Sequence, residues 1–189
     1  MRIETDRLVL RRWTECDIAP MVRMNADPEV MQWTGDGSAI SEERTVEEIA
    51  QFEQRWDERG FGLFAVEFRK TGELTGFAGL SIPKFLPELL PAVGLGCRFD
   101  KKWWGRGIAT ESLVPCLRFG FIDRGMERIV SVNQVTNEAS ARILQKLGMD
   151  LERRTVHPTL GGALRVYAMN RDEFVARFGA EAACPAGSG

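Results

Sequence analysis

The chain holds one histidine, one tyrosine and four cysteines in 189 residues. Cys16, Cys97, Cys116 and Cys184 stand far apart, with no C-x-x-C pair and no histidines beside them, which argues against structural zinc and against a disulfide framework. An imidazole metal site would lack ligands, so no metal is expected. A Ser-His-Asp triad would have to use His157, the single histidine. Charge of one sign is missing too. The 25 Lys and Arg against 27 Asp and Glu leave a net charge of -2, too little basic field to hold a nucleic-acid backbone. Long apolar runs are absent: Met1 to Arg7 is too charged for a secretory segment, and Phe85 to Cys97 is interrupted by Pro87, Glu88 and Pro91. No nucleic-acid partner and no membrane are expected, and the composition reads as that of a soluble, cytoplasmic protein.

What is present suffices for one well-packed domain over residues 1–179, followed by a small-residue tail, 180–189, expected to be disordered. Arg7 to Trp13 reads as a first strand and Thr14 to Met24 as a short helix. Asp27-Pro28 and Gly35 to Ser38 are turn signals. Ser41 then opens a longer helix to Arg59, with Val46, Ile49, Phe52 and Trp56 at helical spacing. Gly62 to Arg69 and Leu74 to Ile82 alternate on either side of a Gly72 turn and predict a central hairpin. Ala92 to Phe99 is a further strand. The helix from Gly107 to about Arg124 carries Pro115 in its interior, which costs about 3 kcal/mol in a straight helix and predicts a kink or break around Glu111 to Pro115. Glu127 to Val132 is a strand, and Asn137 to Leu147 a helix capped by Asn137 and stopped by Gly148. Met149 to Val156 and Leu164 to Met169 are closing strands, and Arg171 to Phe178 a last helix.

Two stretches carry chemistry. In Trp103-Trp104-Gly105-Arg106-Gly107-Ile108-Ala109-Thr110-Glu111, between a strand and a helix, two glycines permit close backbone approach. The unpaired first-turn N–H groups sit at the positive end of the helix dipole, an arrangement suited to a pyrophosphate or equally to an ordinary glycine turn. A Walker loop and a dinucleotide fingerprint both fail on spelling, the latter because Thr110 stands where Gly or Ala is needed. In the second stretch, Ser140, Ile143, Leu144 and Leu147 share one helix face. A hydroxyl there needs a partner, either a carbonyl of its own helix or a ligand.

Together these residues resemble the GNAT superfamily of N-acetyltransferases, and within it the Rim-type ribosomal-protein N-terminal alanine acetyltransferases. The resemblance covers roughly residues 3 to 170. It rests on Thr5-Asp6-Arg7-Leu8-Val9-Leu10-Arg11, on Trp104 to Glu111, and on Asn137-x-x-Ser140 with Lys146-Leu147-Gly148-Met149. It implies an α+β (α/β) fold: a mixed, mostly antiparallel sheet splayed at a bulged strand and flanked by helices, with acetyl-CoA in the cleft. By the same resemblance, backbone groups of Arg98 and Phe99 would hold the pantetheine arm. The turn of Trp104, Gly105, Arg106, Gly107, Ile108, Ala109 and Thr110 would bind the pyrophosphate, Asn137 would contact pantetheine, and Lys146 would reach the CoA phosphates. Ser140 would be the acid for the departing thiolate, since the tyrosine used by many relatives is missing and Tyr167 lies on a late strand. Direct attack by a primary amine, from a protein N-terminus or a small molecule, follows, with a backbone N–H near Phe99 polarising the carbonyl.

One position departs from the family pattern. Relatives commonly carry Glu-Ile-Gly-Trp-Arg on the splayed strand, whereas this chain reads Gly94-Leu95-Gly96-Cys97-Arg98. Either Glu67 or Glu111 serves as base through water, or the amine arrives neutral, or turnover is weak. A non-catalytic acyl-CoA-binding or regulatory module is therefore the second reading. Cys97 is read as packing. His157 and Trp33 are the acceptor-side residues considered, His157 otherwise being an exposed loop residue. The apolar loop Phe85, Leu86, Leu89 and Leu90 would be a sticky patch unless a homodimer or the chain's own sheet covers it.

Overall fold

The computed structural model describes residues 1–179; the tail expected to be disordered lies outside the described residues. Eight strands make one sheet in the order β1-β2-β3-β4-β5-β6-β8-β7. They are β1 (Arg2–Glu4), β2 (Leu8–Arg11), β3 (Leu63–Phe68), β4 (Glu73–Ser81), β5 (Val93–Phe99), β6 (Arg128–Gln134), β7 (Asp150–Val156) and β8 (Ala163–Asn170). Every pairing is antiparallel except β5 with β6, which run parallel and register only at Val93↔Ile129 and Gly94↔Val130. Beyond Gly94 the two strands part. The sheet is mixed, mostly antiparallel and open at that seam, as expected.

The predicted central hairpin is present, and its turn is closed by the N–H groups of Thr71 and Gly72, which donate to the Phe68 carbonyl at 3.1 and 2.9 Å. Its strands read as nearly continuous apolar runs because both faces are covered. Phe64, Val66, Ala78 and Leu80 pack with Leu113, Leu117 and Leu144 on one face, which carries α4 (Ile108–Arg118), α5 (Glu138–Leu147) and α6 (Arg171–Phe178). Leu63, Ala65 and Phe77 pack on the other against Trp13, Met21, Ile49 and Phe52, beneath α1 (Ile18–Asn25) and α3 (Glu42–Arg59). Period-two alternation thus feeds two separate cores from one strand.

Four expectations are corrected. Asp27-Pro28 does not merely turn the chain: Asp27 accepts the Glu29 N–H and Pro28 opens a four-residue helix, α2 (Pro28–Met31), proline being pre-shaped for a first helical position. On α3 the buried stripe is Thr45, Ile49, Phe52 and Trp56, while Val46 is exposed; Thr45 is tolerated inside because its hydroxyl donates to the Ser41 carbonyl at 2.9 Å and accepts from Asn25. Pro115 does not break its helix. α4 runs through it, held by the packing of Leu113, Cys116 and Leu117, and the irregularity falls later as a π-helical turn at Phe119–Asp123. The register of β5 on β4 is unbroken; the register shifts lie at Val66/Glu67 and Leu151/Arg153, so β5 is distinguished by its parting from β6 rather than by a bulge against β4. The loop 83–91 folds over its own sheet: Leu86 and Leu89 are buried with Val130, Leu164 and Val166, and of the four apolar residues of the patch Phe85 and Leu90 stay exposed.

Candidate functional site

The parting of β5 from β6 leaves a cleft, and three elements bring polar groups to it. The first is the turn between β5 and α4. Gly105 and Gly107 both adopt left-handed conformations, with φ of 72° and 77°, which an L side chain rarely takes. Gly107 is the N-cap of α4 and supplies no side chain, so the first-turn N–H groups of Ile108, Ala109 and Thr110 are uncapped at the positive end of the helix. The turn is held rigidly from the N-terminal hairpin. Glu111 accepts from the Thr5 hydroxyl at 2.6 Å and from the Arg7 N–H at 2.9 Å and Nε at 2.6 Å, and Arg7 Nη1 donates to the Arg106 carbonyl at 3.0 Å. Trp104 is exposed, with its indole N–H on the Phe99 carbonyl at 2.8 Å.

The second element is the N-terminus of α5. Asn137 caps it by accepting the Ser140 N–H at 3.0 Å, and Gly148 ends it in a left-handed conformation. The Asn137 amide nitrogen keeps its donors for other work. The Ser140 hydroxyl does not return to its own helix; it accepts from Asn133 Nδ2 at 3.1 Å, across to β6. Lys146 is exposed, its carbonyl accepting from Arg177.

The third element is β6 itself. Ser131 and Asn133 take the inward positions that alternation would give to apolar side chains, and both are buried. Ser131 donates to the Leu95 carbonyl at 2.9 Å, a side chain standing where a ladder hydrogen bond between β5 and β6 would be. Neither residue was singled out from the sequence. The signal was there: two polar residues at alternate positions of an otherwise apolar strand, next to the seam.

On β5, Gly94, Gly96 and Arg98 face α1 and α3. The Arg98 guanidinium lies over Phe77 and donates to Glu48 and Asn25, with Nη1 at 3.1 and 2.7 Å. Its side chain is thus turned away from the seam. A Cβ on Gly94 would sit 3.3 Å from the Ser81 carbonyl, so the glycine that replaces the family's acid is also favoured by packing. The two carboxylates considered as substitutes are committed elsewhere: Glu67 pairs with Arg11, and Glu111 with Arg7. Cys97 is exposed, and the surrounding protein moves its thiol up, by desolvation, rather than down, so it is no activated thiolate. Trp33 is on the segment after α2 and partly exposed. His157 caps its own turn, Nδ1 accepting the N–H groups of Thr159 and Leu160, with its ring stacked on Phe85. That arrangement leaves Nε2 as the N–H donor of the ring. No cluster of metal-ligating side chains occurs among the described residues.

The residues present fit acetyl-CoA: an uncapped helix start for the pyrophosphate, an open strand edge and the half-buried Ser140 hydroxyl held from β6. The family model described as the acetyltransferase (GNAT) domain matches residues 7–150. The uncharacterized protein YkkB of Bacillus subtilis is 31% identical over 151 residues, covering 78% of this chain and 84% of that protein. The uncharacterized N-acetyltransferase YoaA of the same organism is 30% identical over 150 residues, covering 79% and 83%. Among solved structures, a GNAT-family acetyltransferase from Bacillus anthracis superposes with a TM-score of 0.77 at 22% identity, covering 92% of this chain and all of that one. The ribosomal L7/L12 α-N-protein acetyltransferase RimL in complex with coenzyme A superposes at 0.72 with 20% identity, covering 90% and 98%.

Proposed function

The chain belongs to the GNAT acetyltransferase family, and from that premise we propose that it moves the acetyl group of acetyl-CoA directly onto a primary amine, with Ser140 as the acid for the thiol. The observation that carries this reading is the Ser140 hydroxyl, held from β6 at the seam where β5 leaves the sheet. Acetyl-CoA supplies the activated thioester when bound. The amides from Gly105 to Thr110 receive its pyrophosphate, the exposed Lys146 reaches its phosphates, and the backbone of Arg98 and Phe99, with the Asn137 amide, receives its pantetheine arm. The Phe99 carbonyl, already bonded to Trp104, contributes its second lone pair.

In the transfer the amine nitrogen bonds to the acetyl carbon and the carbon–sulfur bond breaks. The Ser140 proton goes to sulfur and is recovered from water, while the amine gives its proton to solvent. Gly94 supplies no base, and Glu67 and Glu111 are held in ion pairs, so the amine arrives neutral. The similarity to RimL supports a protein N-terminus as acceptor, and Trp33 and the Nε2–H of His157 are proposed to line the acceptor side.

Calorimetry with acetyl-CoA tests the reading. Wild type binds; Gly107→Val, which forces a β-branched residue into a left-handed turn, loses binding by at least tenfold, about 1.4 kcal/mol. Failure of wild type to bind would refute the reading. Binding without release of free thiol across a panel of N-terminal peptides and small amines would favour the non-catalytic module.

A further inference from the structure

Asn133 is 7% exposed, and its amide is used only in part: Nδ2 donates to Ser140 Oγ, while Oδ1 is buried with no partner among the described residues. A buried asparagine that served the fold alone would have both ends satisfied, because an orphaned buried acceptor costs about 1–3 kcal/mol. Turning the amide over would be worse. It would bury an amino group with two donors where no acceptor lies, in place of one unmet oxygen. With Nδ2 on Ser140 Oγ, one lone pair of the hydroxyl is fixed and the hydroxyl hydrogen cannot point back at Asn133. The neighbouring Ser131 on β6 is occupied with the Leu95 carbonyl, so it does not compete for that hydrogen. The Ser140 N–H, for its part, is engaged by Asn137.

We propose that Asn133 is a positioning residue: it accounts for the Ser140 oxygen as an acceptor, so that the hydroxyl proton is spent on the sulfur of CoA. This rests on the reading above, in which Ser140 faces that sulfur. A donor held on Oγ also stabilises the serine oxygen as its proton is shared, which strengthens it as an acid. The effect is transmitted through Ser140 and through no contact of Asn133 with the substrate.

The test needs no acceptor amine. Free CoA, at saturating concentration, is titrated on the enzyme and its thiolate followed by ultraviolet difference absorbance against the desulfo analogue. The bound thiol of wild type is expected to dissociate roughly tenfold more readily than that of Ser140→Ala or Asn133→Leu, the loss of one hydrogen bond to a charged sulfur. Asn133→Leu should shift the titration by itself yet add nothing on top of Ser140→Ala, a pair of results that a merely structural asparagine would not give. Asn133→Asp keeps the volume if the leucine variant fails to fold; its carboxylate accepts the hydrogen bond of the serine hydroxyl, turning it away from the sulfur, and the bound thiol should again dissociate less readily. An unchanged titration in folded Asn133→Leu or Asn133→Asp, or additive shifts in the double variant, overturns the proposal while leaving the acetyltransferase reading intact. CoA that fails to bind wild type overturns both.

Discussion

The sheet divides at the seam into two halves built on opposite principles. On the β1 to β5 side, β3 and β4 are covered on both faces and buried nearly end to end, and the Arg7–Glu111 ion pair locks the N-terminal hairpin onto α4. From β6 to β7 cover thins outward: β6 is largely buried, whereas six of the seven residues of the outer strand β7 are exposed. The rigid half carries the turn proposed for the pyrophosphate, a group common to every reaction of a CoA-dependent enzyme. The looser half carries His157, one of the two residues proposed for the acceptor side, while the other, Trp33, follows α2 beside the rigid half. The turn proposed for the cofactor is thus placed where packing over-determines geometry.

The sharpest way to break the contrast is at close approach. A Cβ on Gly76 would lie 2.1 Å from the Arg98 carbonyl, with φ at 146°, whereas one on Gly96 meets nothing within 4 Å. Gly76→Ala is expected to cost about 3 kcal/mol or more in urea denaturation and Gly96→Ala less than about 1. Next is the clasp on the turn: Glu111→Ala strips partners from Thr5 and Arg7, and is expected to lose about 2 kcal/mol of stability and several-fold in acetyl-CoA affinity. A third test uses pH. Burial alone would raise the Asp17 carboxyl, but hydrogen bonds from Arg11 and the Thr14 backbone outweigh it and hold the pKa below the usual carboxylate range. Its contribution is therefore complete above the unfolded value, about 3.9, and disappears as pH falls through the lower folded value. Asp17→Asn should be less stable at pH 7 and show a flatter acid limb in thermal melts from pH 6 downward. The smallest effect belongs to the loose half, where Val156→Thr on β7 should change stability by less than about 0.5 kcal/mol.

How much of this was legible in the sequence depended on whether a local cause decided the outcome. The central hairpin and α5 were readable because alternation, Asn137 and Gly148 each act within a few residues. β1 was missed since three residues carry no period, and α2 since Asp-Pro signals both a turn and a helix start. Thr45 in place of Val46 was decided by partners on another helix, and the survival of α4 through Pro115 by the core beneath it. At the site, the left-handed glycine turn and the uncapped helix start were legible, but Ser140 left two partners open, and the one it has, Asn133, comes from a strand whose register no local rule supplies.

The seam also orders events in time. Only two registered pairs of backbone join β5 to β6, so opening there breaks few hydrogen bonds, and β6 and β8 are held to the other half chiefly by the packing of Ile129, Tyr167 and Met169. Native-state hydrogen exchange should then resolve two populations of protected amides, those of β3 and β4 exchanging only with global unfolding and those of β6 and β8 by a smaller, earlier excursion. A ligand laid across the gap would act as a third strand between them and merge the two populations into one.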